Sequence, residues 1–293
     1  MPAVAGLAAR LPRLFTRAAF GALGSRDRRL TIGDFSLLVH DLGPRDAEPW
    51  VLLHGLAATA ASWLPLVPRL RRTARLLLPE LSDVGGTVGP RPALAVADGA
   101  EIVHELVTRL FPGRAVTLGG TSLGGWTAIR LALAHPECVS RLVLLAPGGY
   151  RDQDWERAAR AVRVAGPEDV PHTLAALFAR PPWPLTRFPG PIAALYGTPA
   201  VRHLLGTLRE EDAFGADDLA RLTMPTALLW GEDDGIFDVS VGEAMARALP
   251  AGHLYRFSGA AHLPHWEASG EVAAALADFR AHHPLSGVPP RRG

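Results

Sequence analysis

Three short groups in this 293-residue chain have residue types and positions that could do chemistry together. The first is Gly120-Thr121-Ser122-Leu123-Gly124, which follows the apolar run 115–118 and opens a helix-like segment. A serine held on a tight strand-to-helix turn presents its hydroxyl for nucleophilic attack, and small neighbours let the backbone turn that sharply. The helix that starts there favours negative charge developing at the turn. The bare Gly-x-Ser-x-Gly pattern is weak evidence, and its place between strand and helix gives it weight.

A hydroxyl needs a base to take its proton, and the base needs a carboxylate to orient it. On a strand–serine–helix scaffold the acid comes next in the chain and the histidine last. Two later groups keep that order. The run 226–230 ends in Gly231-Glu232-Asp233-Asp234-Gly235, and the run 254–257 leads into Gly259-Ala260-Ala261-His262.

The elements that must position these groups alternate in type. Strand-like runs fall at 35–39, 51–53, 75–78, 115–118, 141–145, 226–230 and 254–257, several of them continuously apolar. Such runs are expected of strands buried on both faces of a mostly parallel sheet. Helix-like segments fall at 94–110, 123–134, 241–249 and 270–281. The pattern predicts an α/β fold, a doubly wound, mostly parallel sheet with helices on both sides. After Pro147 the alternation stops. Residues 148–218 hold helical pieces and a proline-rich aromatic stretch but no convincing buried strand. They read as a helical cap inserted over the C-terminal edge of the sheet, where such folds place ligands. Trp155, Trp183, Phe188 and Tyr196 supply its apolar surface. The expected organisation is an extension at 1–29, a core at 30–147 and 219–293, and the cap between.

His54-Gly55, the Gly-Thr-Ser-Leu-Gly-Gly turn, Gly-Glu-Asp-Asp after a strand and Ala-His-Leu-Pro-His-Trp-Glu together resemble the α/β-hydrolase superfamily over residues 30–282, cap excepted. The resemblance implies Ser122 as nucleophile, Asp234 as acid and His262 as base. The superfamily acid stands three residues after the glycine, which selects Asp234 over Glu232 and Asp233, read as solvated loop charges; Asp238 is a capping residue. His265 is the rival base, better suited to a structural role, and His54 is expected to structure its loop. The oxyanion hole is expected from the main-chain N–H groups of Leu56 and Leu123. One departure stands out in 80–87: Asp83 takes a position where the superfamily has glycine.

This set implies acyl transfer to water. Relatives with an aspartate at the turn, the haloalkane dehalogenases and epoxide hydrolases, are excluded by Ser122. Carbon–carbon hydrolases of ring-cleavage products share the Ser-x-Gly-Gly turn and Pro147-Gly148-Gly149, but carry Trp after the histidine where this chain has Leu263. The expectation is therefore a carboxylesterase or lipase-like enzyme acting on a hydrophobic ester. The alternatives are a carbon–carbon hydrolase and, in another class, a ligand-binding receptor on a hydrolase fold.

Composition bounds the rest. All 30 basic residues other than histidine are arginine, against 29 acids, a net charge of +1 that gives no case for a nucleic-acid partner. No His-Glu-x-x-His or phosphate-loop pattern occurs, so neither metal nor cofactor is expected. The single Cys138 cannot form an intramolecular disulfide and reads as a buried structural thiol. No apolar run reaches 18 residues, and no signal peptide is apparent, so a cytoplasmic enzyme is expected. Arg10, Arg13 and Arg17 share one face of an N-terminal helix beside Leu7, Leu11, Leu14 and Ala18. Residues 1–25 are thus expected either to pack on the enzyme or to touch a membrane surface weakly.

Overall fold

The computed structural model describes residues 2–284, with side chains from Leu11 on. The side chains of Leu7 and Arg10, and the final stretch 285–293 of the expected core, lie outside what it describes.

Eight strands form one sheet: β1 (Arg28–Ile32), β2 (Phe35–Leu42), β3 (Glu48–Leu53), β4 (Ala74–Pro79), β5 (Val116–Thr121), β6 (Val139–Leu145), β7 (Thr226–Gly231) and β8 (Gly252–Phe257). Their order is β1-β2-β4-β3-β5-β6-β7-β8. The pairs β1/β2 and β2/β4 are antiparallel, and every pair from β4 to β8 is parallel. The seven expected strands are β2 to β8. β1 is an addition: Arg28 and Arg29 interrupt its apolar pattern, because an edge strand buries only part of its surface. It begins inside the stretch read as an extension.

Helices flank the sheet: α1 (Pro2–Ala22), α2 (Val67–Leu70), α3 (Val96–Leu110), α4 (Leu123–Ala134), α11 (Val239–Ala248), α12 (Pro264–Glu267) and α13 (Ser269–His282). Between β6 and β7 the chain forms no strand, only one isolated bridge from Tyr150 to Phe214, and the helices α5 (Trp155–Ala161), α6 (Val170–Leu177), α7 (Trp183–Arg187), α8 (Gly190–Tyr196), α9 (Pro199–Thr207) and α10 (Ala216–Leu219). Pro171, Pro184, Pro191 and Pro199 each stand in the first turn of one, where a missing N–H costs nothing. One sheet face packs Val103, Ile129 and Met245 from α3, α4 and α11. The other packs Trp50, Trp63, Leu276 and Phe279. Phe20 of α1 is wholly buried in that second core, which at about 2–3 kcal/mol for a fully buried ring fixes the N-terminal helix to the body. Among the described residues no helix is long and apolar enough to cross a membrane.

Candidate active site

The sequence places three groups at the C-terminal ends of β5, β7 and β8, and the parallel sheet brings those ends together. Ser122 sits between β5 and α4 at φ 53°, ψ −118°, a left-handed conformation unusual for a residue with a side chain. The sharp turn needs Gly124: a Cβ there would stand 2.5 Å from the carbonyl oxygens of Leu53 and His54. Ala57 (φ 52°) and Ala146 (φ 39°) are the other described non-glycine residues at positive φ, just beyond β3 and β6. Backbone strain is thus confined to one edge of the sheet, as at sites that hold groups against their preference.

Asp234 and His262 meet across a second close approach. A Cβ on Gly231 would lie 2.1 Å from the carbonyl oxygen of Ala261, so only glycine lets the two loops touch. Asp234 Oδ1 accepts the N–H groups of Ile236 and Phe237 at 2.8 and 2.9 Å. Its Oδ2 accepts His262 Nδ1–H at 2.9 Å, with both side chains buried. That bond fixes the tautomer and leaves Nε2 with its lone pair, free to act as a base. Nε2 is buried and has no hydrogen-bond partner among the described residues. Phe237 links the two halves: its ring lies 5.4 Å from the His262 ring and lines the same cavity as Ser122.

That cavity, of about 340 Å³, is walled by Leu56, Leu123, Trp126, Trp155, Val162 and Phe237. Leu123 is the first residue of α4, so its N–H is one of the helix's unpaired donors beside Ser122. Leu56 follows Gly55, whose added Cβ would come within 3.3 Å of Ser122 Cβ. Both expected oxyanion donors therefore border the serine. Trp155 meets Trp126 edge-on at 5.8 Å, while Trp183 and Phe188, read alike in the sequence, stand in solvent. Tyr196 is buried, which pushes its hydroxyl up to about 12.

The remaining expectations sort cleanly. Glu232 and Asp233 are exposed, and Asp238 caps α11 by accepting Ser240 N–H at 2.9 Å. His54 structures its loop: Nδ1 donates to Gly55 O and Nε2 accepts Leu81 N–H, both at 3.0 Å. His265 is wholly buried against Trp63, and burial, with the neighbouring His262, pushes it down to about 3, which keeps it neutral at pH 7. Asp83 points outward, and its neighbour Val84 is buried. Cys138 is half-buried rather than buried, because it lies at the exposed end of a short turn. Burial and then the Glu137 charge raise its thiol pKa, so it is a poor nucleophile. Groups able to hold a metal ion are Glu101, His104 and His135, or His104, Glu137 and Cys138. His135 stands at the far end of α4 from Ser122, about 18 Å along the helix.

Two clamps had no signal in the sequence. Arg157 of α5 donates to the carbonyl oxygens of Asp234 and Gly235 at 2.6 and 3.1 Å. Glu267 accepts Ala261 N–H at 2.8 Å, immediately before His262, and also Ala179 and Arg180 N–H at 3.2 and 3.0 Å. Each ties a loop of the site to the helical segment, and both act through main-chain atoms that any residue type would offer.

Comparison with known proteins agrees with this fold. A family model described as alpha/beta hydrolase fold matches residues 48–269. A pimeloyl-[acyl-carrier protein] methyl ester esterase of Vibrio vulnificus (strain YJ016) is 30% identical over 242 residues, covering 73% of this chain and 87% of its own. A 2-hydroxy-6-oxononadienedioate/2-hydroxy-6-oxononatrienedioate hydrolase of a Pseudomonas species is 27% identical, covering 84% and 92%. The crystal structure of a membrane phospholipase A, a bacterial virulence factor, superposes with a TM-score of 0.80 at 25% identity, covering 94% of this chain and 92% of that one.

Proposed function

The chain belongs to the alpha/beta hydrolase family, and on that premise we propose that it is a serine hydrolase cleaving carboxylic esters with a hydrophobic part through an acyl-enzyme on Ser122. The observation that carries this reading is the His262–Asp234 bond, which leaves Nε2 free of any partner among the described residues, on the same sheet edge as the strained Ser122. Ser122 Oγ attacks the ester carbonyl as Nε2 takes its proton, and Asp234 stabilises the imidazolium. The N–H groups of Leu56 and Leu123 receive the oxyanion. The imidazolium then protonates the leaving alcohol, and water repeats the sequence to release the acid.

Methyl ester esterases and a phospholipase among the relatives support an ester as substrate. The apolar lining of the 340 Å³ cavity supports a hydrophobic acyl or alcohol part. Residues 148–218 act as the cap, and the enzyme works in the cytoplasm with residues 1–25 in weak contact with a membrane surface. The Pseudomonas relative favours one rival, carbon–carbon bond hydrolysis.

A fluorophosphonate probe is expected to label the protein and to fail on Ser122→Ala. Turnover of p-nitrophenyl butyrate with none of a 2-hydroxy-6-oxo-dienoate supports the ester reading. The reverse pattern overturns it, and no labelling with no turnover would indicate a receptor.

A further inference from the structure

Two stretches of this nearly neutral chain stand apart in charge. Residues 2–26 and 170–209 hold eight of its 30 arginines and none of its 29 acids. The fold sets them side by side, because α1 packs against α8. Between them opens a second apolar cavity, of about 420 Å³, lined by Pro12 of α1, Pro182, Pro184, Leu185, Leu195 and Trp266.

Large apolar side chains stand in water around its mouth. From α1 come Leu11, Leu14 (60% exposed) and Phe15 (59%); from the helical insertion come Trp183 (69%) and Phe188; Trp266 adds a fourth aromatic side chain. A helix that serves only its own protein turns its apolar stripe inward. Here α1 packs through Thr16 and Phe20, with Thr16 Oγ1 2.8 Å from Thr59 Oγ1, and leaves Leu11, Leu14 and Phe15 outside. Cations flank the collar: Arg17 beside the α1 stripe, 57% exposed with its Nε 4.0 Å from an Asp27 oxygen, and Arg187, whose guanidinium lies 5.3 Å from the Phe188 ring centre. Inward, the cavity reaches Ala57, Ala58 and Leu263. Those residues adjoin Leu56 and His262 in the chain, so the cavity reaches the loops of the candidate site.

We propose that α1 and the α7–α8 edge form one docking face for an anionic lipid surface, and that the cavity between them admits a lipid-borne ester to Ser122. Arginines meet the headgroups while the apolar collar enters the acyl boundary. An acidic carrier protein would satisfy the arginines but set six large apolar groups against a polar partner, so the observations favour lipid. The docking rests on the exposed collar; only its delivery step rests on the proposed ester hydrolysis.

The test is sedimentation of the full chain, as Ser122→Ala to prevent hydrolysis, with phosphatidylglycerol or phosphatidylcholine vesicles. Binding is expected to be at least about tenfold stronger to phosphatidylglycerol. Adding Leu14→Ser with Phe15→Ser should weaken it about tenfold or more, and adding Arg17→Gln with Arg187→Gln should abolish the lipid preference. In the active protein the Leu14/Phe15 pair should leave turnover of a soluble short-chain ester unchanged and reduce turnover of the same ester group carried in vesicles. No vesicle binding, binding indifferent to the Leu14/Phe15 pair, or binding only to a soluble acidic carrier protein would each overturn the docking face. Vesicle binding without any esterase activity would instead overturn the proposed reaction and leave the docking face standing.

Discussion

The two ends of the parallel sheet are built on opposite principles. At the end where β3 begins, Glu48 is a buried carboxylate with every need met. It pairs with Arg141 and with Arg280 (3.1 Å), and accepts Trp50 Nε1–H at 2.6 Å and the Thr117 hydroxyl at 2.8 Å. Arg141 in turn donates to Thr117 Oγ1 and His283 O. At the other end, beyond β3, β5 and β6, stand the positive-φ residues Ala57, Ser122 and Ala146, and a histidine whose Nε2 is left without a partner. The same strands thus carry a satisfied network at one end and strain with an unmet lone pair at the other. The lesson is a division of labour: stability is concentrated at one end, and the other keeps groups in unfavourable states ready for chemistry.

The sharpest way to break that contrast is to remove the hydroxyl. Ser122→Ala is expected to lower kcat/KM on a soluble ester by about 10⁴-fold or more while leaving the melting temperature nearly unchanged. An unfolded or fully active variant would each count against the division. The converse experiment is Glu48→Gln or Arg141→Met. Each strands a buried charge and is expected to cost about 3–5 kcal/mol in denaturant unfolding, with kcat/KM of the folded enzyme within about twofold of the parent. A large fall in kcat/KM at unchanged stability would show that the two ends are not separable.

Acid should separate them too. His265, at the strained end, lies at about 3 in the folded protein against 6.5 for a free side chain. A base held below its unfolded pKa gives stability that is complete above pH 6.5 and is lost as pH falls toward 3. By pH 4.5 the loss is about 2–3 kcal/mol. Glu48 is shifted the other way by its partners: burial opposes ionisation, but Arg141 and Arg280 outweigh it and lower the carboxyl below 4.5. Its contribution is therefore present above pH 4.5 and lost only below. Unfolding free energy measured from pH 7.5 to 4.5 should fall in the parent and stay flatter in His265→Leu; parallel slopes would remove His265 from the account.

The sequence was most legible where burial is most complete. β3, β4, β6 and β7 each carry a continuous apolar stretch because both faces of a parallel strand are covered, and the loops that hold Ser122, Asp234 and His262 follow β5, β7 and β8. β1 was hidden by Arg28 and Arg29, since an edge strand needs no such run. The periodicity of α1 was visible, but not which face packs: the helix buries Thr16 and Phe20 and exposes Leu11 and Leu14, a choice set by the partner surface rather than by the helix. Arg157 and Glu267 left no trace because they grip backbone atoms. The short proline-led helices of residues 170–207 have too few turns for periodicity to orient them.

The smallest expected effect tests whether the strain at Ser122 is a real cost. Its φ of 53° and ψ of −118° belong to a region that glycine occupies freely and other residues reach at about 1–3 kcal/mol. Ser122→Ala keeps the Cβ and hence the strain, while Ser122→Gly relieves it. Glycine also gives the unfolded chain more freedom, which takes back about 0.5–1 kcal/mol. The net expectation is that Ser122→Gly is about 1 kcal/mol more stable than Ser122→Ala in denaturant unfolding, both being inactive. At a position with ordinary backbone the same comparison would favour alanine, so the sign alone decides. Equal stability, or alanine the more stable, would mean that the turn holds its serine without strain, and the contrast between the ends of the sheet would then rest on Ala57, Ala146 and the unpartnered His262.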